Sequence, residues 1–356
     1  MKNAVRVDHN ALADFAAAVL AAPGVAPDQA RTWAEVLVWA NLRGVDSHGV
    51  LRIPGYVDRL TTGGINPRPD MRIVRRAGAV AVLEADRAPG PVALDRAMGE
   101  AIAIAREVHV GWCAARDITH AGAVGYFAIR AAEAGMAGIV LSASVPLMAY
   151  HGAKVAGVST NPVAIAVPVE GRRPLVVDMS TSTVALGKIL SARDRGEPIP
   201  EGWGMDADGN PVTDPDAVAT LLPLGGAKGS GLSLLIECLA SLTVANPVIQ
   251  PALTGRLAGL RLNGTAIAVD LAAFGDPDAF RHEAALLADA VTSLPRAKGV
   301  DRLYAPGERG DALLDERCAN GIPLPQGTWA RLTETAARYG IPMPATPEQG
   351  HFQPFT

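Results

Sequence analysis

The chain has 356 residues, of which 49% are hydrophobic and 19% are charged, and its formal net charge is −4. A chain of this length is typical of about two domains, and this composition excludes an intrinsically disordered protein. Acidic and basic residues are spread along the sequence without a basic stripe, which argues against nucleic acid as a partner.

The cysteines and the apolar runs indicate in which cellular compartment the protein is expected. Cys113, Cys238 and Cys318 are far apart and lack CxxC spacing, so neither a disulfide framework nor a cysteine zinc site is expected. Residues 1–15 lack the charged-then-apolar layout of a signal peptide, and the apolar run 137–150 is too short to span a bilayer. The sequence therefore predicts a cytoplasmic protein without a membrane partner and without a bound metal.

Helical periodicity marks both ends of the chain. Apolar residues at helical spacing predict one helix over 10–22 and a second that ends at Leu42. Asp46 is a plausible cap of a further helical turn, which leads into one more helix. Two final helices, similar in character to the first ones, are predicted near 311–320 and 327–339.

The middle of the chain alternates strands and helices. Apolar patterns predict a hairpin of two strands, 71–76 and 79–86. Further strands are predicted over 110–117, 136–144, 162–169, 174–180 and 265–274. Helices are predicted over 91–108, 123–135, 229–245 and 277–294. The strands over 162–169 and 174–180 are expected to be buried, and residues 195–225, rich in Gly, Pro and Asp, predict a long loop.

This order of elements predicts an α/β fold in two parts. Residues 71–309 are expected to form an α/β domain with a strand–helix–strand unit over 110–144. Residues 1–70 and 310–356 are expected to form a helical domain from both chain ends. The α/β domain is thus predicted to be inserted into the helical one.

The stretch DSHGVLR, residues 46–52, is the first candidate for chemistry. His48 and Arg52 have the i, i+4 spacing that places two side chains on one face of a helix. Arg52 can hold a carboxylate through two parallel hydrogen bonds, and His48 can exchange a proton with a carbonyl or hydroxyl. Ser47 can orient the imidazole. The alternative is a surface histidine beside a helix cap, and spacing alone does not separate the two.

The stretch THAGAVGY, residues 119–126, follows a predicted strand and opens a helix. Free backbone N–H groups and the helix dipole make such a position a phosphate site. Gly122 and Gly125 permit close approach of a ligand. The alternative is an ordinary turn between a strand and a helix.

Three further features are candidates for binding. The stretch GGAKGSG, residues 225–231, carries Lys228, although it matches neither the Rossmann fingerprint nor a P-loop. YAPGERG, residues 304–310, is a turn able to contact a cofactor, and Asp178 ends a buried strand, where α/β sheets often place site residues. The alternatives are a flexible loop with a solvated lysine, a simple turn and a helix cap.

Taken in order, six stretches resemble one family. They are RGVDSHGVLRIPGYVDRL (43–60), HAGAVGYFAIRAAEAGMAGIVLSAS (120–144), STNPVAIAVP (159–168), DMSTSTVALGKI (178–189), GGAKGSGLSLLIE (225–237) and APGE (305–308). The chain resembles the type 2 malate/L-lactate dehydrogenases, a family that also includes ureidoglycolate, sulfolactate, diketogulonate and cyclic-imine 2-carboxylate enzymes. The resemblance covers nearly the whole chain and is weakest between 245 and 300 and after 310.

The resemblance implies a fold, a reaction and an assembly. The α/β domain is expected to bind NAD or NADP on a mixed sheet of non-Rossmann type, in agreement with the missing GxGxxG. The reaction is hydride transfer between the nicotinamide and the alpha carbon of a 2-hydroxy acid or 2-oxo acid, so the substrate is a small carboxylate. The family resemblance also implies a homodimer with its site near the subunit contact.

The resemblance assigns roles to individual residues. His48 matches the family's proton donor and acceptor, Ser47 its hydroxyl partner, and Arg52 its carboxylate-binding arginine. Further substrate contacts are implied at Thr160, Leu186 and Gly187. Cofactor contacts are implied at His120, Ala121, Gly122, Ala123, Val124, Asp178, Met179, Ser180, Lys228, Pro306, Gly307 and Glu308.

Position 188 departs from one subgroup of the family. Members that reduce cyclic imines carry an aspartate after the glycine, which completes a Ser-His-Asp relay, whereas this chain has Lys188 after Gly187. That lysine is the pattern of the hydroxy-acid members, and its expected catalytic role is to neutralise a second acidic group or polarise the carbonyl. Tyr150-His151 is bulkier than the resemblance leads us to expect and is a candidate for shaping the pocket.

Two other functions stay open. One is a cyclic-imine 2-carboxylate (pyrroline or piperideine-2-carboxylate) reductase that uses NADPH, against which Lys188 argues. The other is a cofactor-binding regulator or sensor without redox chemistry, against which the joint presence of Ser47, His48 and Arg52 argues. The sequence does not determine which acid is the substrate, nor the choice between NAD and NADP.

Overall fold

The fold is a mixed α/β arrangement, which confirms the predicted class. The computed structural model describes residues 4–257 and 261–346. Its α-helices are α1 (His9–Ala21), α2 (Pro27–Leu42), α3 (Ile53–Thr61), α4 (Gly90–Val108), α5 (Gly125–Glu133), α6 (Leu186–Arg195), α7 (Ala227–Glu237), α8 (Ile249–Leu253), α9 (Pro277–Thr292), α10 (Glu308–Asn320) and α11 (Gln326–Ala337). Its strands are β1 (Ala4–Val7), β2 (Arg72–Ala77), β3 (Val80–Ala88), β4 (Val110–Ile118), β5 (Met136–Ala143), β6 (Met148–Ala149), β7 (Ala156–Val158), β8 (Val163–Val167), β9 (Leu175–Met179), β10 (Gly204–Met205), β11 (Thr220–Leu221), β12 (Leu262–Asp270) and β13 (Ile322–Pro325).

The larger sheet has seven strands in the order β2-β3-β4-β12-β5-β8-β9. The pair β3–β4 is parallel, and the other neighbouring pairs in this order are antiparallel. The predicted hairpin of β2 and β3 is confirmed. The predicted strand–helix–strand unit is also present as β4, α5 and β5, but β12 lies between the two strands because it pairs with both.

Small residues let the helices approach this sheet closely. Helix α4 packs on β3, β4 and β12, and α5 packs on β5 and β8. A Cβ on Gly111 of β4 would overlap the backbone carbonyl of Ala101 in α4, and a Cβ on Gly138 of β5 would overlap that of Ala128 in α5. The abundance of alanine and glycine in these segments therefore sets the distance between helix and sheet.

Strands β8 and β9 are open on one face, contrary to the expectation that they are buried. Ile165 and Val177 are 43% and 40% exposed, whereas Ala164, Ala166 and Val176 are buried. The expectation was wrong because a short apolar run fits a half-buried strand as well as a fully buried one. An apolar face at this end of the sheet, with Ile165 and Val177, is consequently exposed.

A second hydrophobic core is built from both ends of the chain. It joins α1, α2, α3, α10 and α11 with the antiparallel pair β1–β13. Helix α2 belongs to both cores, since Val36 and Trp39 pack in the α/β core while Trp33 and Leu37 pack in the helical one. Residues 1–3 and 347–356 of the predicted helical domain lie outside the described residues.

Residues 195–225, predicted as a long loop, contain two short strands. Strands β10 and β11 join β6 and β7 in a four-stranded sheet of order β10-β11-β6-β7. A third hydrophobic cluster, which includes Met148, Ile189 and Leu221, packs here. The strands escaped prediction because β10 and β11 have two residues each, too few to show a period.

The apolar helix predicted over 229–245 starts at Ala227 and ends as a π-helical turn, Cys238–Leu242. The buried Glu237 supports this turn, because its carboxylate accepts from Val248 N–H at 2.8 Å and from the Ser241 hydroxyl at 2.7 Å.

Among the described residues, no helix is long and apolar enough to cross a membrane.

We expect Gly111→Ala to lower the free energy of unfolding by about 1–3 kcal/mol, because the added Cβ overlaps the backbone of α4 and the core must shift. Gly99→Ala in α4 is the matched control: nothing lies within 4 Å of its added Cβ. That control should be stabilising by about 0.5–1 kcal/mol, as for alanine over glycine inside a helix. Urea unfolding followed by circular dichroism measures both. Equal midpoints would contradict the close packing of α4 on β4.

Candidate functional site

The DSHGVLR stretch forms two 3₁₀ turns instead of one helical turn. They are Asp46–His48 and Val50–Arg52, and Gly49 between them is extended, with φ −89° and ψ −157°. This corrects the expectation that His48 and Arg52 leave one face of a helix. Asp46 does not cap the turn either, because its carboxylate takes part in a tertiary contact.

The side chain of Asn41, buried at the end of α2, explains this backbone. Its Oδ1 accepts from Val50 N–H at 2.9 Å, and its Nδ2 donates to the Asp46 carboxylate at 2.7 Å. A Cβ on Gly49 would overlap the Asn41 amide, so glycine is required there. Arg317 of α10 donates to the same Asp46 carboxylate at 2.7 and 3.1 Å. The preceding helix α2 and the distant helix α10 therefore hold the turn.

Ser47 and His48 form a hydrogen-bonded pair. The Ser47 hydroxyl lies 2.9 Å from Nδ1 of His48, and Arg52 Nε donates to the Ser47 carbonyl at 2.7 Å. Burial, and then the positive charge of Arg52, lower the pKa of His48 to about 4. His48 is therefore neutral at pH 7, with Ser47 on Nδ1 and a guanidinium close by.

A second imidazole lies against His48. The rings of His48 and His120 are stacked with their centroids 5.4 Å apart and their planes at 20°. The hydroxyl of Tyr56, a buried residue of α3, lies 2.7 Å from Nδ1 of His120. Burial, and then the nearby His48 and Arg52, hold the pKa of His120 well below its usual value. Two neutral imidazoles thus lie against each other with a guanidinium nearby.

Helix α6 begins beside the serine. A Cβ on Gly187 would overlap the side chain of Ser47, so the start of this helix packs directly on the turn. Leu186 and Lys188 are exposed on either side of Gly187. The structure thereby brings the predicted substrate residues 186–187 to the Ser47–His48 pair, with Lys188 on the same first turn of α6.

The end of β9 meets the start of α5. Asp178 Oδ2 accepts from Gly125 N–H at 2.8 Å, so a carboxylate already occupies the helix N-terminus that the sequence marked as a phosphate site. Although Asp178 keeps contact with solvent, desolvation by the surrounding protein raises the pKa of its carboxyl to about 6. This contact joins the predicted cofactor residues 120–124, of which 121–124 are buried, to Asp178, Met179 and Ser180.

Arg43 connects the end of α2 to the loop at 306–308. Its Nη2 donates to the Gly307 carbonyl at 2.9 Å, and its Nη1 forms an ion pair with Asp311. Val176 of β9 donates its N–H to the Pro306 carbonyl at 3.2 Å. The predicted cofactor loop therefore lies along β9 and is tied to the helix that precedes the DSHGVLR turns.

Glu308 is the first residue of α10, whereas the sequence placed it in a loop. Its carboxylate accepts from Ala305 N–H at 2.9 Å and forms an ion pair with Arg302. A cavity of about 500 Å³ borders Pro306 and Glu308 and does not include His48. Within residues 4–257 and 261–346, no group of three or more His, Cys, Asp or Glu side chains could hold a metal.

Backbone hydrogen bonds connect Thr160 with the loop before Lys228. Thr181 donates its N–H to the Thr160 carbonyl at 3.2 Å, and Leu224 donates to the Thr181 carbonyl at 2.9 Å. Lys228 is exposed on the first turn of α7, and His151 packs against Gly226, which precedes that helix. Thr160 and Lys228 are thus joined to the end of β9 through backbone contacts.

Sequence reasoning missed four residues that hold this site, namely Asn41, Arg43, Tyr56 and Arg317. Tyr56 follows Arg52 by four residues, a spacing that could have indicated a third polar group near the turn. Arg317 meets Asp46 across 271 residues of sequence, so no local pattern signals the contact.

We expect the contribution of His48 to stability to be lost as the pH falls from about 6.5 to about 4. The folded state keeps His48 neutral down to a pKa of about 4, whereas an unfolded chain protonates near 6.5, so protons favour unfolding in this window. His48→Gln removes this contribution and should flatten the fall. The midpoints of urea unfolding, measured between pH 7 and pH 4 for the wild type and for His48→Gln, give this dependence of stability on pH. His282→Gln is the control, because a hydrogen bond to Glu170 raises the pKa of that exposed histidine. An unchanged slope in His48→Gln would contradict the low pKa of His48.

Nearly the whole chain is similar to named dehydrogenases. The Malate/L-lactate dehydrogenase family matches residues 7–333. The malate dehydrogenase of Pyrococcus horikoshii is 33% identical over 350 residues, which cover 96% of this chain and 97% of that protein. The ureidoglycolate dehydrogenase (NAD(+)) of Escherichia coli O157:H7 is 34% identical over 304 residues, which cover 85% of this chain and 87% of that protein.

Solved structures show the same similarity. The malate dehydrogenase of Entamoeba histolytica has a TM-score of 0.91 and 26% identity, covering 96% of this chain and 100% of that one. The delta1-piperideine-2-carboxylate reductase of Pseudomonas syringae has a TM-score of 0.81 and 28% identity, covering 93% and 99%. These matches confirm the resemblance noted in the sequence. The chain belongs to the malate/L-lactate dehydrogenase family.

Proposed function

We propose that this chain is an NAD(P)-dependent oxidoreductase that transfers a hydride between the nicotinamide and the alpha carbon of a 2-hydroxy acid or 2-oxo acid. Family membership supports an oxidoreductase that acts on hydroxy acids. The observation that carries the finer proposal is the hydrogen-bonded pair of Ser47 and His48 beside the Arg52 guanidinium. These groups combine proton exchange and carboxylate binding in two consecutive 3₁₀ turns.

Residues near α5, β9 and the loop at 306–308 fit a nicotinamide dinucleotide. Gly122 has φ 77°, and its neighbours Ala121 and Ala123 have small side chains, so this loop leaves room for a ligand beside its backbone. Asp178 offers an acceptor for a ribose hydroxyl, and Lys228 offers a charge for a phosphate. The proposed cofactor residues are His120, Ala121, Gly122, Ala123, Val124, Asp178, Met179, Ser180, Lys228, Pro306, Gly307 and Glu308. When bound, the cofactor supplies a hydride donor or acceptor at its nicotinamide ring.

The neutral His48 is the proposed proton donor and acceptor. In the oxidation direction it takes the proton of the substrate hydroxyl, and in the reduction direction it returns a proton to that oxygen. Ser47 orients the ring through Nδ1. Arg52 clamps the substrate carboxylate, which offsets the positive charge that lowers the pKa of His48. Substrate binding therefore removes the smaller cause of the low pKa of His48, the charge of Arg52, whereas burial, the larger cause, stays.

The start of α6 is the proposed specificity region. Gly187 lies against Ser47, so Leu186 and Lys188 project from the same helical turn that borders the reacting pair. Lys188 is suited to neutralise a second acidic group of the substrate or to polarise its carbonyl. Thr160 is proposed as a further substrate contact, because its carbonyl is tied to the segment that follows β9.

We also propose that residues 71–309 are an NAD(P)-binding domain of non-Rossmann type, inserted into a helical substrate and dimer domain of residues 1–70 and 310–356. Two hydrophobic cores support this division, one of them built from both chain ends, and α2 packs in both. The pairing of the larger sheet is mainly antiparallel, unlike the mostly parallel Rossmann sheet. The site lies where the two parts meet, since Tyr56 and His120 come from different parts.

Reduction of a cyclic imine 2-carboxylate with NADPH is the second candidate function. The specific observation in its favour is the similarity to the delta1-piperideine-2-carboxylate reductase structure. Lys188 argues against it, because a lysine cannot take the place of a carboxylate that accepts a hydrogen bond from an imidazole. We therefore rank it below the hydroxy-acid reaction.

A homodimer in the cytoplasm is the proposed form of the protein. On α7 and its π-helical turn, Leu232, Leu235, Leu239 and Leu242 are 39%, 61%, 41% and 52% exposed, and their spacing of three, four and three residues aligns them in one stripe. An exposed apolar stripe of this kind marks an interaction surface. A second copy suits it because the stripe is self-complementary in an isologous contact. Cys113, Cys238 and Cys318 are not joined in a disulfide bond, which agrees with the proposed reducing compartment.

The decisive experiment is oxidation of NADH and NADPH against a panel of 2-oxo acids and cyclic imine carboxylates. We expect turnover with a 2-oxo acid. His48→Ala should lose about 10²–10⁴-fold in kcat, the usual contribution of a proton-transfer group, while cofactor binding measured by fluorescence is kept. Arg52→Lys should raise KM for the acid, because lysine cannot form the planar fork.

Matched controls are His282→Ala on α9 and Arg338→Lys after α11, both exposed positions. Near-normal kcat in His48→Ala would overturn the assignment of His48. Turnover restricted to cyclic imines would establish the second candidate function. Tight NAD(P)H binding without turnover across the panel would indicate a regulator or sensor.

For the dimer, we expect sedimentation at micromolar concentration to give twice the mass of one chain. Leu235→Glu places a charge in the apolar stripe and should shift the protein to a monomer. Val74→Glu is the matched control, because Val74 is 49% exposed on the edge strand β2, away from α7. A monomeric wild-type protein, or equal dissociation of both variants, would refute this interface.

A further inference from the structure

The hydroxyl of Tyr56 is a buried polar group to which the proposed reaction gives no role. Tyr56 is 4% exposed, its ring lies 4.9 Å from the ring of Trp33, and its hydroxyl lies 2.7 Å from Nδ1 of His120. Trp33 and Tyr56 belong to the helical core, whereas His120 follows β4 of the larger sheet. The hydrogen bond therefore crosses between the two parts of the fold and starts from a rigid ring.

The chemistry of the two groups decides which one donates. A phenol is a stronger acid and a weaker acceptor than a neutral imidazole, so O–H to Nδ1 is favoured over Nδ1–H to the phenol oxygen. Burial raises the pKa of Tyr56 to about 12, so its hydroxyl keeps its proton. Burial holds the pKa of His120 well below its usual value, so the ring is neutral and carries a single N–H. When Nδ1 accepts, that N–H is on Nε2.

We propose that Tyr56 is a positioning residue that holds neutral His120 in its Nε2–H tautomer, so that His120 offers a hydrogen-bond donor beside His48. This inference rests on the proposed dehydrogenase function and deepens it. In the reduction direction, His120 Nε2–H donates to the 2-oxo oxygen and polarises the carbonyl. His48, protonated from solvent after the substrate carboxylate has bound Arg52, delivers its proton to that oxygen and returns to the neutral form. No bond to His120 forms or breaks, and its proton stays in place.

The stacking of the two rings favours a neutral hydrogen-bond donor at His120 and proton transfer at His48 alone. With centroids 5.4 Å apart, His48 and His120 cannot both carry a positive charge at small cost, because like charges at this distance repel. Arg52 already supplies one positive charge near both rings. A neutral donor at His120 lets His48 take and release the proton without a second charged imidazole beside it.

Tyr56→Phe removes the hydroxyl and keeps the ring against Trp33. The tautomer of His120 is read from ¹⁵N chemical shifts of histidine-labelled protein without substrate, with its signals assigned by their loss in His120→Gln. In the wild type we expect Nε2 to carry the proton and Nδ1 to accept. In Tyr56→Phe we expect the Nδ1–H tautomer to become populated. We expect kcat for 2-oxo acid reduction to fall about 10–100-fold, as when an outer hydrogen-bond partner is lost.

Tyr339→Phe is the matched control, because Tyr339 packs against the same helical core after α11. It should leave both the tautomer and kcat at wild-type values. The wild-type spectrum tests the proposal even if Tyr56→Phe does not fold: a proton on Nδ1 of His120 would overturn it. Equal tautomer populations or equal kcat in wild type and Tyr56→Phe would also overturn it. Absence of turnover in the wild type would instead refute the proposed function and leave the tautomer result standing.

Discussion

The turn that carries Ser47 and His48 depends on one side chain, the amide of Asn41. It satisfies the N–H of Val50 and the carboxylate of Asp46 at the same time, and it fills the space that a side chain at Gly49 would need. Without that amide, the buried N–H of Val50 and the carboxylate of Asp46 would each lose a hydrogen-bond partner. An unsatisfied buried polar group costs more free energy of folding than one hydrogen bond contributes. Asn41 lies on α2, which packs in both hydrophobic cores. The position of the reacting pair is therefore coupled to the packing of the whole molecule.

The electrostatics of the site follow from this placement. Burial and the Arg52 guanidinium disfavour a charged imidazole, so His48 and His120 are both neutral in the free protein. An anionic substrate changes that balance, because a carboxylate beside Arg52 compensates the charge that lowers the pKa of His48. Two neutral imidazoles beside a guanidinium agree with the proposed reaction, in which an acid loses a proton and a hydride. Asp178, on the side of the proposed cofactor, has the opposite shift because desolvation raises its pKa.

Much of the fold could be predicted because periodicity is a local property. The β2–β3 hairpin, the helices at both chain ends and the β4–α5–β5 unit all have clear patterns, and the structure confirms them. The failures have physical reasons. Strands β10 and β11 are too short to show a period, and β8 and β9 looked buried because apolar runs do not reveal which face is open. The spacing of residues in DSHGVLR predicted a helical turn. In the structure the Asn41 side chain accepts a hydrogen bond from Val50 N–H and interrupts the helix, and residue spacing does not indicate such a contact.

The sequence by itself determined the family, because six motifs in a fixed order identify it, and it determined which residue types meet the substrate in the proposed reaction. It also placed glycine at 49 and 187, without showing why. Tertiary structure alone decided what surrounds the histidine: the ring of His120, the phenol of Tyr56 behind it, and the salt bridge of Arg317 to Asp46 across 271 residues. The physical reason is that hydrophobic periodicity and turn residues can be recognised within a few consecutive residues. The neighbours of a side chain depend instead on how distant elements pack.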